Sequence, residues 1–257
     1  MKSLELFDLG GKSALVSGGG RGIGKTIALA LAEAGANVAV ASRDEAACAE
    51  TAKEIAGATG RNTISTKLDI TEKASVEEFV KLTKEKLGSV DILVNNSGAT
   101  WGAPFEEMPL ERWERVIKVN LTGTFLMCQS VVPMMKKQRW GRIVNIASVA
   151  GFRGSPSFMH ASGYSASKGG IMALTRELAV KLAAYGITVN AIAPSFFPTK
   201  MSRVLTERFG DVIREDNPMK RMGEDDDLKG VAVFLASEAS RYVTGQVIPV
   251  DGGQTAT

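Results

Sequence analysis

Seven short apolar runs recur along the chain and set its predicted architecture. They span residues 13–17, 37–41, 63–68, 91–94, 142–146, 188–192 and 246–250. Apart from the weaker run at 63–68, they are nearly continuous and rich in β-branched residues, which is typical of strands buried on both faces of a parallel sheet.

Helical periodicity separates these runs. Apolar residues recur at helical spacing in residues 23–34, 75–87, 110–137 and 163–185. Gly35, Gly88 and Gly186 follow three of these segments as C-terminal caps, and Pro133 predicts a kink near the end of the long third one. Strand and helix therefore alternate, which predicts an α/β fold: a single-domain, Rossmann-type, doubly wound parallel sheet of about seven strands, flanked by helices on both faces and spanning residues 1–257.

One segment breaks this alternation. Residues 194–223 hold three prolines and two adjacent phenylalanines, and they are too long for a simple strand-to-helix turn. We predict a substrate lid at about 195–222. The acidic run at 224–227 then precedes an apolar helical segment, where acids in a first turn favour the positive end of the helix dipole.

Composition narrows the classes of function. The chain has 257 residues, and 31 basic against 28 acidic side chains give a net charge of +3, too small to imply a nucleic-acid or membrane partner. No apolar run approaches the roughly 18 residues of a membrane span, and the two cysteines form no C-x-x-C pair. We therefore expect a cytoplasmic protein.

Histidine is nearly absent from the chain. Its one histidine, His160, excludes a multi-histidine metal centre, and a Ser-His-Asp triad would have to use that residue. No metal is expected. The functional site must therefore consist of glycine-rich backbone segments and of side chains other than histidine.

A glycine-rich loop follows the first strand and opens the first predicted helix. Residues 17–24, the glycine loop, read S-G-G-G-R-G-I-G, with the spacing G-x-x-x-G-x-G rather than G-x-G-x-x-G. A dinucleotide pyrophosphate would lie here against free helix N–H groups, because glycines permit a tight turn and a close approach of the backbone.

The end of the second strand bears on the type of dinucleotide. An acid at this place would bind the ribose hydroxyls of NAD, whereas this chain has Ser42 and Arg43 there and Asp44 one step later. Arg21 lies inside the glycine loop. Two cations near the adenosine ribose suit a 2′-phosphate, so NADP(H) is predicted in preference to NAD(H).

Tyr164 and Lys168 form a candidate reactive pair at the start of the fourth helical segment. A spacing of four places them on one helix face. A nearby ammonium favours the phenolate, so we expect the lysine to lower the pKa of the tyrosine. Such a tyrosine is a general acid for carbonyl reduction and a general base for alcohol oxidation.

Together these motifs resemble those of the short-chain dehydrogenase/reductase family, over roughly residues 8–253. The glycine loop is similar to the family's T-G-x-x-x-G-I-G, with serine for threonine. Residues 95–98, N-N-S-G, resemble N-N-A-G, and residues 194–199, P-S-F-F-P-T, resemble P-G-x-x-x-T. The chain looks nearest to bacterial 3-oxoacyl-thioester reductases and to gluconate 5-dehydrogenase-like members.

The resemblance implies four catalytic residues. Tyr164 would exchange the proton, and Lys168 would bind the nicotinamide ribose and lower the tyrosine pKa. Ser148 would orient the substrate oxygen, and Asn120 would hold a water that links Lys168 to solvent. The family also implies a homotetramer built on the helices at 110–137 and 163–185.

The predicted cofactor contacts come from the same motifs. They are Gly18, Gly20, Arg21, Gly22, Ile23, Gly24, Ser42, Arg43, Asp69, Ile70, Asn96, Gly98, Ile146, Tyr164, Lys168, Pro194, Phe197 and Thr199.

Two departures from the family pattern concern the site. Ser195 replaces the usual glycine, which bears on the nicotinamide end. Ser148 and Tyr164 are 16 positions apart, a longer spacing than is usual in the family, and residues 155–162 would carry the extra length and line the substrate cleft.

The residues expected around the substrate are mostly apolar or aromatic. The predicted pocket consists of Trp101, Ser148, Phe152, Met159, His160, Phe196 and Met201. Such a cleft suits a small-molecule 3-oxoacyl thioester or another hydrophobic ketone or its alcohol. A gluconate 5-dehydrogenase-like enzyme of sugar acids or polyols remains an alternative. So does a non-catalytic NADP-binding regulator, although a pure binder needs no aligned acid.

Overall fold

The predicted strands assemble into one parallel sheet because nearly every residue in its central strands is buried. The structure is a computed structural model that describes residues 2–156, 159–200 and 202–256. Its strands are β1 (Ser13–Ser17), β2 (Asn37–Ser42), β3 (Thr63–Lys67), β4 (Ile92–Asn95), β5 (Gly141–Ile146), β6 (Ile187–Pro194) and β7 (Val247–Val250). All neighbours pair in parallel, in the order β3-β2-β1-β4-β5-β6-β7. The predicted doubly wound sheet is confirmed.

Helices cover both faces of this sheet. They are α1 (Gly22–Glu33), α2 (Glu45–Thr59), α3 (Lys73–Leu87), α4 (Leu110–Ile117), α5 (Gly123–Gln138), α6 (Ser162–Leu182), α7 (Arg203–Asp216) and α8 (Asp226–Ala236). In the described part of the chain, none of these helices has the length and apolarity needed to cross a membrane.

Strand periodicity divides the core into two layers. In β1, Val16 packs with Ile27 of α1 and Leu235 of α8, whereas its neighbour Leu15 packs with Phe79 of α3 on the other face. All five side chains are fully buried. Each contributes about 1.5–3 kcal/mol of hydrophobic stabilisation by order of magnitude, which anchors the helices and so fixes the loops between them.

The order of the strands creates a crevice at the carboxyl edge of the sheet. The chain runs from β1 outward through β2 and β3, then returns to pair β4 on the other side of β1. The loops after β1 and β4 therefore leave in opposite directions, and ligands of open α/β sheets bind at such a switch point. The glycine loop lies there, between β1 and α1.

The segment expected to be one long helix is instead interrupted. A π-helical turn, Lys118–Thr122, separates α4 from α5, and Pro133 lies inside α5 without ending it. A kink at Pro133 stays a prediction. The interruption occurs earlier, where the wide turn lets Asn120 accept from Ala99 N at 2.7 Å and donate to Ala99 O at 2.9 Å.

Other helix boundaries also differ from the sequence pattern. Helix α6 ends at Leu182, and a 3₁₀ turn covers Ala183–Tyr185. The sequence pattern did not predict helices α2 and α7, because neither has a clear apolar stripe. Helix α2 buries small or polar side chains such as Cys48 and Thr51, and α7 is mostly polar. The acidic run begins α8, and Asp227 accepts a hydrogen bond from Glu224 N at 2.8 Å.

The substitution Gly24→Ala tests the packing of the glycine loop. A Cβ at this position would clash with the Gly18 carbonyl oxygen and Asn96 Nδ2. We expect Gly24→Ala to lower the free energy of unfolding by about 1–3 kcal/mol, as overpacking does, measured by urea unfolding. The control Gly57→Ala lies in α2 with open space around its Cβ, and should stabilise by about 0.5–1 kcal/mol. Equal unfolding midpoints for the two variants would contradict this packing.

Candidate active site

Two adjoining hollows open at the carboxyl edge of the sheet. The larger cleft has a volume of about 1610 Å³ and runs along the glycine loop and the ends of β2, β4 and β5. The smaller cavity has a volume of about 450 Å³ and lies between the segment after β5, the start of α6, and α7. Tyr164 lines both, so a group bound at its hydroxyl would face both hollows.

The residues predicted to contact a cofactor converge on the larger cleft. All of them line it except Gly24 and Phe197. Gly24 lies beneath the loop, against the Gly18 carbonyl. Phe197 is buried, lines the smaller cavity rather than the larger cleft and packs over Gly223, and its contact with a cofactor stays a prediction.

The glycine loop is fastened to the turn after β4. Gly18 and Gly22 have positive φ angles of 68° and 51°, which glycine adopts without strain. Asn96 Nδ2 donates to Ser17 O at 3.2 Å and Gly18 O at 3.0 Å, and Ser17 Oγ accepts from Asn96 N and Ser97 N at 3.1 and 3.2 Å. The loop N–H groups at the start of α1 are thereby held toward the cleft.

Two arginines stand at one end of the larger cleft. Arg21 lies 3.5 Å from Asp44, an exposed pair that also flanks the start of α2. Arg43 has no ion pair with any carboxylate in the described ranges. Hydrogen bonds from Thr71, assisted by the charge of Arg43, hold the pKa of Asp69 below its ordinary value. This end of the cleft thus carries positive charge, partly compensated by Asp44.

Three elements bring the four predicted catalytic residues close to one another. Tyr164 and Lys168 lie on α6, Ser148 follows β5, and Asn120 lies in the π-helical turn. Lys168 Nζ lies 5.5 Å from the centroid of the Tyr164 ring and donates to the Ile146 carbonyl at 2.6 Å. The burial of Lys168 and its hydrogen bond to the end of β5 therefore fix the lysine beside the tyrosine.

Asn120 fastens these elements together. Besides its two bonds to Ala99, its Nδ2 donates to Ser167 Oγ at 2.9 Å, and Ser167 Oγ donates to the Tyr164 carbonyl at 2.7 Å. The side chain is completely buried. The π-helical turn thus supports the helix that carries Tyr164, and a role of Asn120 towards a bound water stays a prediction.

The pKa of Tyr164 moves opposite to the expected direction. Burial raises it above its ordinary value, and a hydrogen bond from Ser148 only opposes that rise. Burial also lowers the pKa of Lys168 to about 8. At neutral pH the phenol therefore keeps its proton while the lysine is mostly charged, since desolvation is the largest effect on the pKa of each group.

The smaller cavity contains part of the predicted substrate pocket. Ser148, Met159, His160 and Phe196 line it. Trp101 and Phe152 do not.

Those two aromatic residues are instead partly exposed nearby. Trp101 is 41% exposed with the Arg112 guanidinium 4.3 Å from its ring centroid, and Phe152 is 43% exposed. The predicted pocket residue Met201, and Ser157 and Phe158 of the inserted segment, lie outside the described residues.

Several lining residues were not anticipated from the sequence. They are chiefly Arg153, Leu205, Arg208, Phe209 and Gln254. Three of these lie on α7, whose weak apolar pattern did not predict a helix, and only the expected lid at 195–222 pointed to that region. Within the ranges that the structure covers, no cluster of histidine, cysteine or acidic side chains could hold a metal ion.

The burial of Lys168 predicts that the free energy of unfolding depends on pH. Below about pH 8 Lys168 is protonated in both folded and unfolded chains, and the cost of its burial is complete. Between about pH 8 and its ordinary pKa of 10.5 the unfolded chain holds the extra proton, so stability rises with pH. We expect the unfolding free energy of the wild type to rise relative to Lys168→Met from about pH 7 to about pH 10, measured in urea.

An exposed lysine on the same helix supplies the control. Lys181→Met should keep the pH dependence of the wild type, because Lys181 is exposed near the end of α6. Parallel curves for the wild type and Lys168→Met would refute the burial of a titrating lysine.

Known proteins share this architecture over almost the whole chain. Residues 18–255 match the family model described as enoyl-(acyl carrier protein) reductase. The 3-oxoacyl-[acyl-carrier-protein] reductase of Staphylococcus epidermidis is 42% identical over 94% of this chain and 98% of its own length.

Two solved structures are similarly close. A short-chain type dehydrogenase/reductase from Mycobacterium marinum superposes with a TM-score of 0.96 at 38% identity, and a gluconate 5-dehydrogenase from Burkholderia cenocepacia, in complex with NADP and tartrate, with 0.94 at 37%. Each comparison covers 100% of both chains. With its parallel sheet, glycine loop and Tyr164–Lys168 pair, the chain belongs to the short-chain dehydrogenase/reductase family of oxidoreductases.

Proposed function

We propose that the protein is an NADP(H)-dependent oxidoreductase that interconverts a ketone and a secondary alcohol. The observation that carries this proposal is the position of Tyr164, which lines the larger cleft and the smaller cavity at once. A hydroxyl at this junction can exchange a proton with a substrate in one hollow while a nicotinamide lies in the other.

The larger cleft fits a dinucleotide. The backbone at Gly18 and Gly22 adopts positive φ, and Gly24 leaves no room for a Cβ, so the loop can bring its N–H groups close to a pyrophosphate. Arg21 and Arg43 would hold the 2′-phosphate, and Lys168 the nicotinamide ribose. When bound, the nicotinamide supplies or accepts the hydride.

The side chains of this chain would manage the proton. Tyr164 keeps its proton at neutral pH and can donate it to a ketone oxygen as the alcohol forms. Ser148 would donate a hydrogen bond to the same oxygen. The ammonium of Lys168 would stabilise the resulting phenolate, because its charge lies beside the ring in a buried environment.

The lining of the smaller cavity supports a hydrophobic ketone as substrate. Most of its lining is apolar and includes Val149, Met159, Phe196, Leu205 and Phe209, and apolar pockets with few polar groups suit such ligands. A 3-oxoacyl thioester, the substrate type in the name of the Staphylococcus epidermidis relative, is one such ketone.

A second candidate is a sugar-acid dehydrogenase. The Burkholderia cenocepacia neighbour is a gluconate 5-dehydrogenase bound to NADP and tartrate. The polar minority among the residues that line the smaller cavity favours this alternative. A binder without turnover is a third candidate, which the intact set of Asn120, Ser148, Tyr164 and Lys168 disfavours. A screen of 3-oxoacyl thioesters, sugar acids and cyclic ketones with NADPH and NADP⁺ separates the three.

The tyrosine variant tests the proton transfer. Tyr164→Phe should lower kcat by at least about 100-fold, because a general acid typically supplies that much, while leaving the unfolding midpoint unchanged. The control Tyr242→Phe removes a hydroxyl from a fully exposed ring and should behave as the wild type. Turnover by Tyr164→Phe near the wild-type rate would sink the mechanism.

The arginine after β2 tests the choice of cofactor. Arg43→Asp should reduce the ratio of kcat/KM for NADPH over NADH by roughly 10- to 100-fold, through loss of a charge-assisted bond to the 2′-phosphate. Arg61→Asp makes the same charge change before β3, at the opposite edge of the sheet, and should leave the ratio unchanged. An unaltered ratio in Arg43→Asp would refute the cofactor preference.

We also propose a cytoplasmic homotetramer built on the outer faces of α5 and α6. Phe125 on α5 is 45% exposed and Val180 on α6 is 78% exposed, so these faces present apolar surface. Light scattering should give four times the chain mass, and Val180→Glu should shift it to smaller species. A monomer in the wild type would count against the assembly.

A further inference from the structure

The charged side chains in the described lining of the smaller cavity are all cationic. Its described lining includes Arg153 and Arg208 but no aspartate or glutamate, and His160 adds an imidazole. Most of the remaining wall is apolar. Positive groups inside a hollow with low-dielectric walls attract and orient anions, so this cavity favours a negatively charged ligand over a neutral one.

Arg208 is the less compensated of the two cations. It lies on α7 with its guanidinium 5.1 Å from the Phe209 ring, and it forms no ion pair within the described ranges. The acids near it on the helix pair elsewhere, since Glu207 pairs with Arg203 and Asp211 with Arg214. Its charge is therefore available to a ligand.

Arg153 is paired with an acidic side chain that does not line the smaller cavity. Its Nη2 lies 3.5 Å from Asp216 Oδ2, and the same carboxylate oxygen accepts a hydrogen bond from Gln254 Nε2 at 3.1 Å. Asp216 itself does not line the cavity. A guanidinium braced in this way loses little side-chain entropy when its remaining N–H groups bind a carboxylate.

We propose that the substrate is an oxo acid, a ketone with an apolar body whose carboxylate is bound by Arg208 and Arg153. This inference rests on the proposed function, because it places the ketone oxygen at Tyr164 and Ser148. In the reduction, the carbonyl carbon gains the hydride of the reduced nicotinamide, its oxygen gains the Tyr164 proton, and the carboxylate is unchanged. A volume of about 450 Å³ holds both ends of a small acid.

Matched acids and esters test the charge directly. The probes are 5-oxohexanoate and 7-oxooctanoate, each paired with its methyl ester, reduced with NADPH and with NADH. Wild-type kcat/KM should be roughly 10- to 100-fold higher for an acid than for its ester, as a charge-assisted hydrogen bond allows, and the gain should lie mainly in KM.

Three variants locate the effect. Arg208→Met and Arg153→Met should each remove most of the preference for the acid, because each lowers kcat/KM for the acid far more than kcat/KM for the ester. Arg203→Met is the control, because it removes an exposed arginine of α7 that does not line the cavity. Loss of the same preference in Arg203→Met would overturn the assignment to these two side chains.

The remaining outcomes separate this inference from the proposed function. Equal kcat/KM for acids and esters, with active reduction of both, overturns the carboxylate site and leaves the reductase standing. An Arg208-dependent preference for acetoacetyl-CoA over acetoacetyl-N-acetylcysteamine, without any preference for oxo acids, shows that the arginines bind a carrier phosphate, and it also overturns the proposal.

Calorimetry covers the case without turnover. If no ketone oxidises NADPH or NADH, the proposed function fails. Binding of 5-oxohexanoate that is tighter than that of its methyl ester, and is weakened by Arg208→Met, would still support the anion site. Equal binding of the two probes would overturn it.

Discussion

Lys168 is only 3% exposed, and the burial of its charged ammonium costs free energy unless the fold surrounds it with suitable partners. Its pKa falls to about 8 rather than far below neutrality, and it donates to the carbonyl of Ile146 at the end of β5. The rest of the site depends on this constraint. Strand β5 must end at Ile146, α6 must place Lys168 against that end, and the π-helical turn must support α6 through Asn120 and Ser167.

Burial also explains why one environment acts differently on two neighbouring groups. Desolvation disfavours the charged form of each, so it raises the pKa of the Tyr164 phenol and lowers that of the Lys168 ammonium. The result is a protonated acid beside a mostly charged lysine at neutral pH. That combination suits the donation of a proton, as the proposed reduction of a ketone requires.

The sequence predicted the sheet well because strands buried on both faces leave an uninterrupted apolar signal, as in residues 13–17 and 188–192. It also predicted the glycine loop, since only glycine permits that close approach of the backbone. It could not predict the π-helical turn, which is accompanied by a hydrogen bond between Asn120 and Ala99 across 21 positions. The sequence did not point to Arg208, because α7 is mostly polar and the sequence pattern of a polar helix resembles that of a loop.

Many substrates are processed on this scaffold, and their identities depend on loops rather than on the sheet. Here Ser148, which follows β5, and Tyr164 of α6 line one part of the smaller cavity, while α7 and the segment after Ser148 supply the two arginines of its lining. The central claim is hydride transfer to a ketone beside Tyr164. Mass spectrometry of the products formed from oxo acids, 3-oxoacyl thioesters and cyclic ketones, with NADPH dideuterated at C4 of the nicotinamide, tests it most directly. The account predicts an alcohol that carries one carbon-bound deuterium for each NADPH oxidised. Unlabelled alcohol, or no alcohol from any of these ketones, would contradict it.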